Sequence, residues 1–145
     1  MNAAEQQIRR YWSLIQARHW VGAQAMLSAE ACCLWPVTRE RFDGPAAIIH
    51  VNAVYPEGWT IHLLALNALA DGRVHSLVRV DQGVAQFYAN SFFSLDDANA
   101  RITWIEEFWS DVREPPAWRV DPRQPLPGQA RLPADDQPGL SLDEP

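Results

Sequence analysis

The chain has 145 residues, enough for one domain that buries roughly 68–70% of its unfolded surface. Its apolar content of 48%, with seven Trp, five Phe and three Tyr, excludes a disordered or fibrous protein. Eighteen acidic against twelve basic residues leave a formal charge of −6, the wrong sign for neutralising phosphates over a broad surface, so nucleic acid is not an expected partner.

Every basic residue is Arg, which removes Schiff-base chemistry and the phosphate-loop lysine. Cys32 and Cys33 are adjacent and fit neither a long-loop disulfide nor a four-ligand zinc site; a reducing compartment follows. The first residues, Met1 to Gln7, lack a basic start followed by an apolar core. The longest nearly apolar stretch, Ile61 to Ala70, is far short of the ~20 residues that span a bilayer. The expectation is a cytoplasmic protein without a membrane partner.

Between Ala3 and Arg18, the residues Ile8, Tyr11, Trp12 and Ile15 recur at helical spacing, which predicts an amphipathic helix. A short helix over Val21 to Leu27 and a strand over Ala31 to Val37, stopped at Pro36, follow. Asp43-Gly44-Pro45 opens a third helix, with Asp43 as its N-cap and an end before Pro56. From Trp59 the period changes to two, predicting strands at 59–69, 73–81, 84–95 and 101–110. Helices followed by an antiparallel meander indicate an α+β domain with helices on one sheet face. In strand 84–95 both alternating sets, Tyr88/Asn90/Phe92 and Phe87/Ala89/Phe93, carry bulky apolar groups. Both faces therefore need cover, and a second subunit is expected on the face that the helices leave.

Eight of the eleven prolines lie after Val112, which sets a Pro-rich tail, 112–145, apart from the domain, 1–111. Trp118 and Leu126 are the residues expected to hold part of that tail on the domain or on a neighbour. The sequence holds no dinucleotide fingerprint, phosphate loop, metalloprotease helix, nucleophile elbow or paired C-x-x-C. Four scattered histidines, His19, His50, His62 and His75, without an i, i+4 pair do not predict a metal site, and no cofactor is expected.

The order of a helix, Trp20, a second helix, the strand Cys33-Leu34-Trp35-Pro36-Val37, a helix after Asp43-Gly44 and a meander ending Ile105-Glu106-Glu107-Phe108-Trp109 resembles the nuclear transport factor 2-like superfamily. That superfamily includes the SnoaL-like proteins and the ketosteroid isomerases, and the resemblance covers about residues 3 to 111. It implies a cystatin-like α+β roll, in which three N-terminal helices and a strongly curved antiparallel sheet form a cone around a pocket for a small, largely apolar molecule. It also implies a homodimer packed through the outer sheet face.

Ile8-Arg9-Arg10-Tyr11 resembles the start of a ketosteroid isomerase, which implies that Tyr11 donates a hydrogen bond to a developing enolate, a role that demands a rigid, dry donor. Trp35, ahead of Pro36-Val37, stands where the resemblance places the proton-abstracting aspartate. An indole cannot remove that proton, so the isomerase mechanism in its known form is not expected. The second family carboxyl falls near Asn90, whose amide remains a donor.

Alternation along the last strand puts Ile105, Glu107 and Trp109 on one side and Glu106 on the other, making Glu107 the candidate acid or base. Enclosed by Trp35, Tyr88 and Trp109, its carboxyl would have a pKa raised by desolvation. The competing reading is a structural Glu107 that pairs with Arg79 or accepts hydrogen bonds from the helical layer. The facing of Arg79, His62 and His75 is left open by the sequence. The predicted lining is Trp12, Trp35, Tyr55, Tyr88, Ile105 and Trp109, around a ligand with one or two oxygens. The function expected is binding of that ligand, with isomerisation, cyclisation or dehydration as the SnoaL-like chemistries; the alternative is a noncatalytic dimerisation or binding module.

Overall fold

In the computed structural model the described residues are 1–143; Glu144 and Pro145, the end of the expected tail, lie outside them. Helix α1 spans Ala3–Gln16 and buries Ile8, Tyr11, Trp12 and Ile15, the face that the spacing selects. Its start is fixed by a capping box, in which Asn2 Oδ1 accepts from the Glu5 N–H at 2.7 Å and Glu5 Oε1 accepts from the Asn2 N–H at 2.8 Å. It ends two residues before the expected Arg18. The His19 N–H donates to the Leu14 carbonyl and the Arg18 N–H to that of Ile15, closing the helix with Arg18 at φ 56° where glycine is usual.

Helix α2, Trp20–Ala25, leads directly into strand β1, Leu27–Trp35, which starts earlier than the expected Ala31. A short strand not expected from the sequence, β2 (Glu40–Asp43), pairs back on β1 with Cys33 opposite Phe42. Asp43 therefore belongs to a strand and binds Arg41 at 2.7 Å; the N-cap of helix α3, Pro45–Ala53, is Gly44, with no side-chain cap.

Strands β3 (Trp59–Ala68), β4 (Val74–Gln82), β5 (Ala85–Leu95) and β6 (Ile102–Asp111) form the meander that the alternation predicts. The six strands run β2-β1-β6-β5-β4-β3 across one sheet. The sheet is mixed rather than wholly antiparallel, because β1 and β6 pair in parallel, with Cys33 opposite Ile105. Register shifts at Leu27/Cys32, Leu63/Ala65 and Ser94/Leu95 mark the irregularities that curve it into a cone-like α+β layer without closing a barrel.

Helix α1 lies against β3 and β4, and α3 against α2 and β1. The inner face of β4 is Val74, Ser76, Val78 and Val80, and that of β5 includes Ala89, Ser91 and Phe93, all buried. Small and β-branched residues there let the helices approach the sheet. The helical layer is pinned to the sheet by Trp12 Nε1 donating to Ser76 Oγ at 3.0 Å and by the Ile61 N–H donating to Gln16 Oε1 at 2.6 Å.

The segment after β6 is irregular apart from a helical turn at Ala117–Arg119 and one bridge, Leu140 to Leu63. Trp118 and Leu126, expected to anchor it, are exposed at 65% and 41%. The contacts that tie it to the domain come from Asp135, Gln137, Leu140 and Leu142. The tail thus lies on one end of the outer sheet face, part of the surface for which a second subunit was expected.

Candidate functional site

A cavity of about 270 Å³ opens between the helical layer and the inner sheet face. Strand β6 delivers Glu107, Trp109 and Asp111 to it by simple alternation, β1 delivers Trp35, and α1 delivers Trp12 and Ile15. Trp59, Ile61, Val80 and Phe87 continue the wall, while Val51, Asn52 and Tyr55 close it from α3 and the residues after it.

Glu107 is the polar centre. Only 5% of it is exposed, and its two oxygens are held differently. Oε1 accepts from Trp35 Nε1 at 3.0 Å and lies 3.7 Å from the Cys33 thiol, whereas Oε2 accepts from Ser91 Oγ at 2.7 Å. Burial raises its pKa, and the bonds from Ser91, Trp35 and Cys33, which favour the charged form, oppose that rise without cancelling it. Desolvation by burial, reinforced by the Glu107 charge, likewise pushes the Cys33 thiol far up, so Cys33 is a neutral neighbour rather than a nucleophile.

Trp35, Trp12, Tyr55 and Trp109 line the cavity with Glu107, whereas the remaining expected site residues do not. Tyr11 is buried between Trp12 and Phe93, with ring centroids 5.8 and 5.9 Å away, and is not part of the lining. Its pKa is raised first by burial and then by the nearby charge of Glu107, so its hydroxyl stays protonated. Ile105 is fully buried in the core and is not part of the lining either.

Asn90 and Tyr88 stand on the opposite face of the sheet. Asn90 Oδ1 lies 2.8 Å from His75 Nε2, and the Tyr88 hydroxyl donates to Asp135 of the tail at 2.7 Å. The convergence of Tyr11 and Asn90 is therefore corrected: Asn90 pairs with Phe108 across the strands while Ser91 pairs with Glu107, so Ser91, not Asn90, reaches the carboxylate. No feature of the sequence singled out Ser91, Trp59 or Phe87; only the strand register brings them to the site.

Arg79 does not pair with Glu107. It lies on the outer face, 1% exposed, with Asp81 at 2.9 Å and Asp135 at 2.8 Å. His62 contacts the same Asp81 at 3.0 Å. All three residues left open by the sequence, Arg79, His62 and His75, thus face away from the cavity. Among the described residues no cluster of His, Cys, Asp and Glu is arranged to hold a metal.

The indole N–H groups of Trp59 and Trp109 are buried and make no close hydrogen bond among the described residues, although Trp109 is near enough to Glu107 to favour its charged form. Both rings line the cavity. The arrangement can enclose a largely apolar molecule beside a buried carboxyl.

No protein-family model matches the sequence, and no curated protein matches it either. Solved structures do match. A candidate ketosteroid isomerase from Kribbella flavida is 25% identical, with a TM-score of 0.75 over 92% of each chain. A protein of unknown function from Burkholderia xenovorans, described as like nuclear transport factor 2, is 14% identical, with a TM-score of 0.68 over 86% of this chain and 95% of that one. A candidate SnoaL-like polyketide cyclase from Shewanella putrefaciens is 13% identical, with a TM-score of 0.64 over 75% and 90%. This chain thus has the fold of the nuclear transport factor 2-like and SnoaL-like proteins, the resemblance that the order of its helices, its meander and its aromatic last strand implied.

Proposed function

We propose that the cavity binds a small, largely apolar molecule carrying one or two oxygens, and that Glu107 passes a proton to or from it in an isomerisation, cyclisation or dehydration. The observation that carries this reading is a buried carboxyl in the wall of an aromatic cavity, its pKa raised by desolvation. Positioned acid–base groups of this kind contribute roughly 10²–10⁴ in rate. The structural likeness to a candidate ketosteroid isomerase and a candidate polyketide cyclase supports an isomerisation or a cyclisation as the class of chemistry.

Trp35 replaces the family base, and its N–H instead orients Glu107, so the proton carrier has moved from β1 to β6. Native mass spectrometry of the freshly purified chain tests the binding step. A noncovalently held small molecule is expected, and Val51→Trp, which fills the cavity, is expected to lose it. Glu107→Gln is then expected to abolish turnover of that molecule while preserving binding and the fold, with a melting temperature no lower than that of the native protein. Retained turnover in this variant refutes the proton-transfer role.

A second reading, a noncatalytic binding or dimerisation module, is favoured by one observation: each oxygen of Glu107 already has a donor, as a purely structural carboxylate would. Under that reading Glu107→Gln unfolds or strongly destabilises the protein.

The uncovered end of the outer sheet face, with Phe92, Trp104 and Phe108, is where we place a homodimer contact. Among the described residues no helix is long and apolar enough to cross a membrane. Two free, buried cysteines and the acidic charge support a reducing, cytoplasmic setting without nucleic-acid binding.

A further inference from the structure

The charge of the cavity wall is one-sided. Glu107 lies buried in it, Glu40 and Asp111 stand exposed at its mouth, and no Arg, Lys or His lines it. Neither Glu40 nor Asp111 has an ion-pair partner among the described residues, in contrast to neighbouring Asp43, which is held by Arg41. The remaining wall is dominated by π faces. Trp35 meets Trp109 at 6.3 Å, Trp109 meets Phe87 at 5.7 Å and Phe87 meets Tyr55 at 5.9 Å, forming a continuous aromatic corner below the two carboxylates.

One ring of the same wall already carries a cation. The Arg18 guanidinium lies 3.3 Å from the Trp59 ring centroid, its charge balanced by Glu57. Rings with carboxylates at the rim form an environment that attracts an organic cation, through the negative ring faces and through Coulomb attraction in a partly desolvated site. The same wall repels a carboxylate or phosphate, because nothing in it can neutralise one.

Resting on the reading that the cavity takes a ligand, we infer that its ligand is an apolar organic cation, an alkyl- or arylammonium, whose charged end lies between the aromatic corner and the Glu40/Asp111 mouth. The rest of the molecule, largely apolar and carrying the one or two oxygens, extends toward Glu107. Neutral molecules of the same shape bind more weakly, and anionic ones are excluded.

The test uses the full chain, its cavity tryptophans as fluorescent reporters, and three probes at low ionic strength: phenyltrimethylammonium, its neutral isostere tert-butylbenzene, and the carboxylate of the same hydrocarbon, 4-tert-butylbenzoate. The ammonium is expected to bind about tenfold more tightly than the hydrocarbon, which corresponds to ~1.4 kcal/mol, and the benzoate not at all. In the double variant Glu40→Gln/Asp111→Asn the ammonium affinity is expected to fall several-fold and that of the hydrocarbon to stay within twofold. Added salt is expected to weaken only the ammonium. Equal or tighter binding of the hydrocarbon or the benzoate overturns the charge preference and leaves the cavity reading intact. No binding by any probe, or binding unaffected by Val51→Trp, overturns both.

Discussion

At the scale of single residues, Glu107 is a balance between water lost and bonds gained. Burial favours its neutral form, and the donors Ser91 and Trp35 favour the charged one; burial wins, so its folded-state pKa lies above the ordinary 4.5 of a free glutamate. The sign of its stability effect follows. Below the unfolded pKa the neutral carboxyl is comfortable in both states and its contribution is fully present. As pH rises through the raised folded value, the buried charge costs stability. The difference in melting temperature between Glu107→Gln and the native protein is therefore expected to grow in favour of the variant from about pH 5 to pH 8. Paired thermal scans across that range check this, and a flat or reversed difference would mean that the donors outweigh desolvation. Glu107 and Trp109 were legible in the sequence because alternation along one strand needs no knowledge of its neighbours. Asn90 was misplaced because both sets of β5 carry large apolar groups, and choosing the inner set requires the register that puts Ser91 opposite Glu107.

At the scale of elements, strong periodicity was readable and edges were not. Helix α1 and the meander β3–β6 follow directly from spacing. Strand β2 escaped because Glu40-Arg41-Phe42-Asp43 is a short edge segment with three charged residues, and the parallel pairing of β1 with β6 joins segments whose connection runs from residue 36 to residue 101. The capping box explains why α1 starts where it does. Asn2→Ala removes the acceptor of the Glu5 N–H and is expected to cost about 1 kcal/mol, measurable by urea denaturation with an unchanged slope. Gly139 does comparable work for the tail. Its φ is 73°, and a Cβ there would run into the Leu63 carbonyl, the group that accepts from the Leu140 N–H at 2.8 Å. Gly139→Ala is expected to detach the Leu140 bridge, raising amide exchange at Leu140 while the cavity residues stay protected. Exchange unchanged at Leu140 would show that the tail is held without this bridge.

At the scale of the whole molecule, the tail lies on part of the sheet face for which a second subunit is proposed. The tail takes the end built from Arg79, Asp81, Gln86 and Tyr88: Asp135 binds Arg79 and Tyr88, and its carbonyl accepts from Gln86 Nε2 at 2.9 Å. This cover gives an otherwise buried guanidinium its second carboxylate. It also explains why a segment rich in proline, which composition alone marks as extended and mobile, is laid down on the domain. At the other end, no hydrogen bond or ion pair among the described residues joins His75, Asn90, Phe92, Trp104 or Phe108 to the tail, and Phe92 and Phe108 pack edge to face at 6.3 Å. If a homodimer forms, its apolar contact belongs at that end, and the two surfaces separate by mutation. Phe92→Glu places a carboxylate opposite Glu106 on the strand pairing and, across a two-fold interface, repeats it in the partner. It is expected to yield monomers in sedimentation experiments without loosening the tail. Asp135→Ala is expected to do the converse: it frees the tail to proteases and lowers the melting temperature, because Arg79 keeps only Asp81, and it leaves the association state unchanged. A dimer that survives Phe92→Glu and dissociates on Asp135→Ala would place the contact over the tail instead, making the tail itself part of the interface.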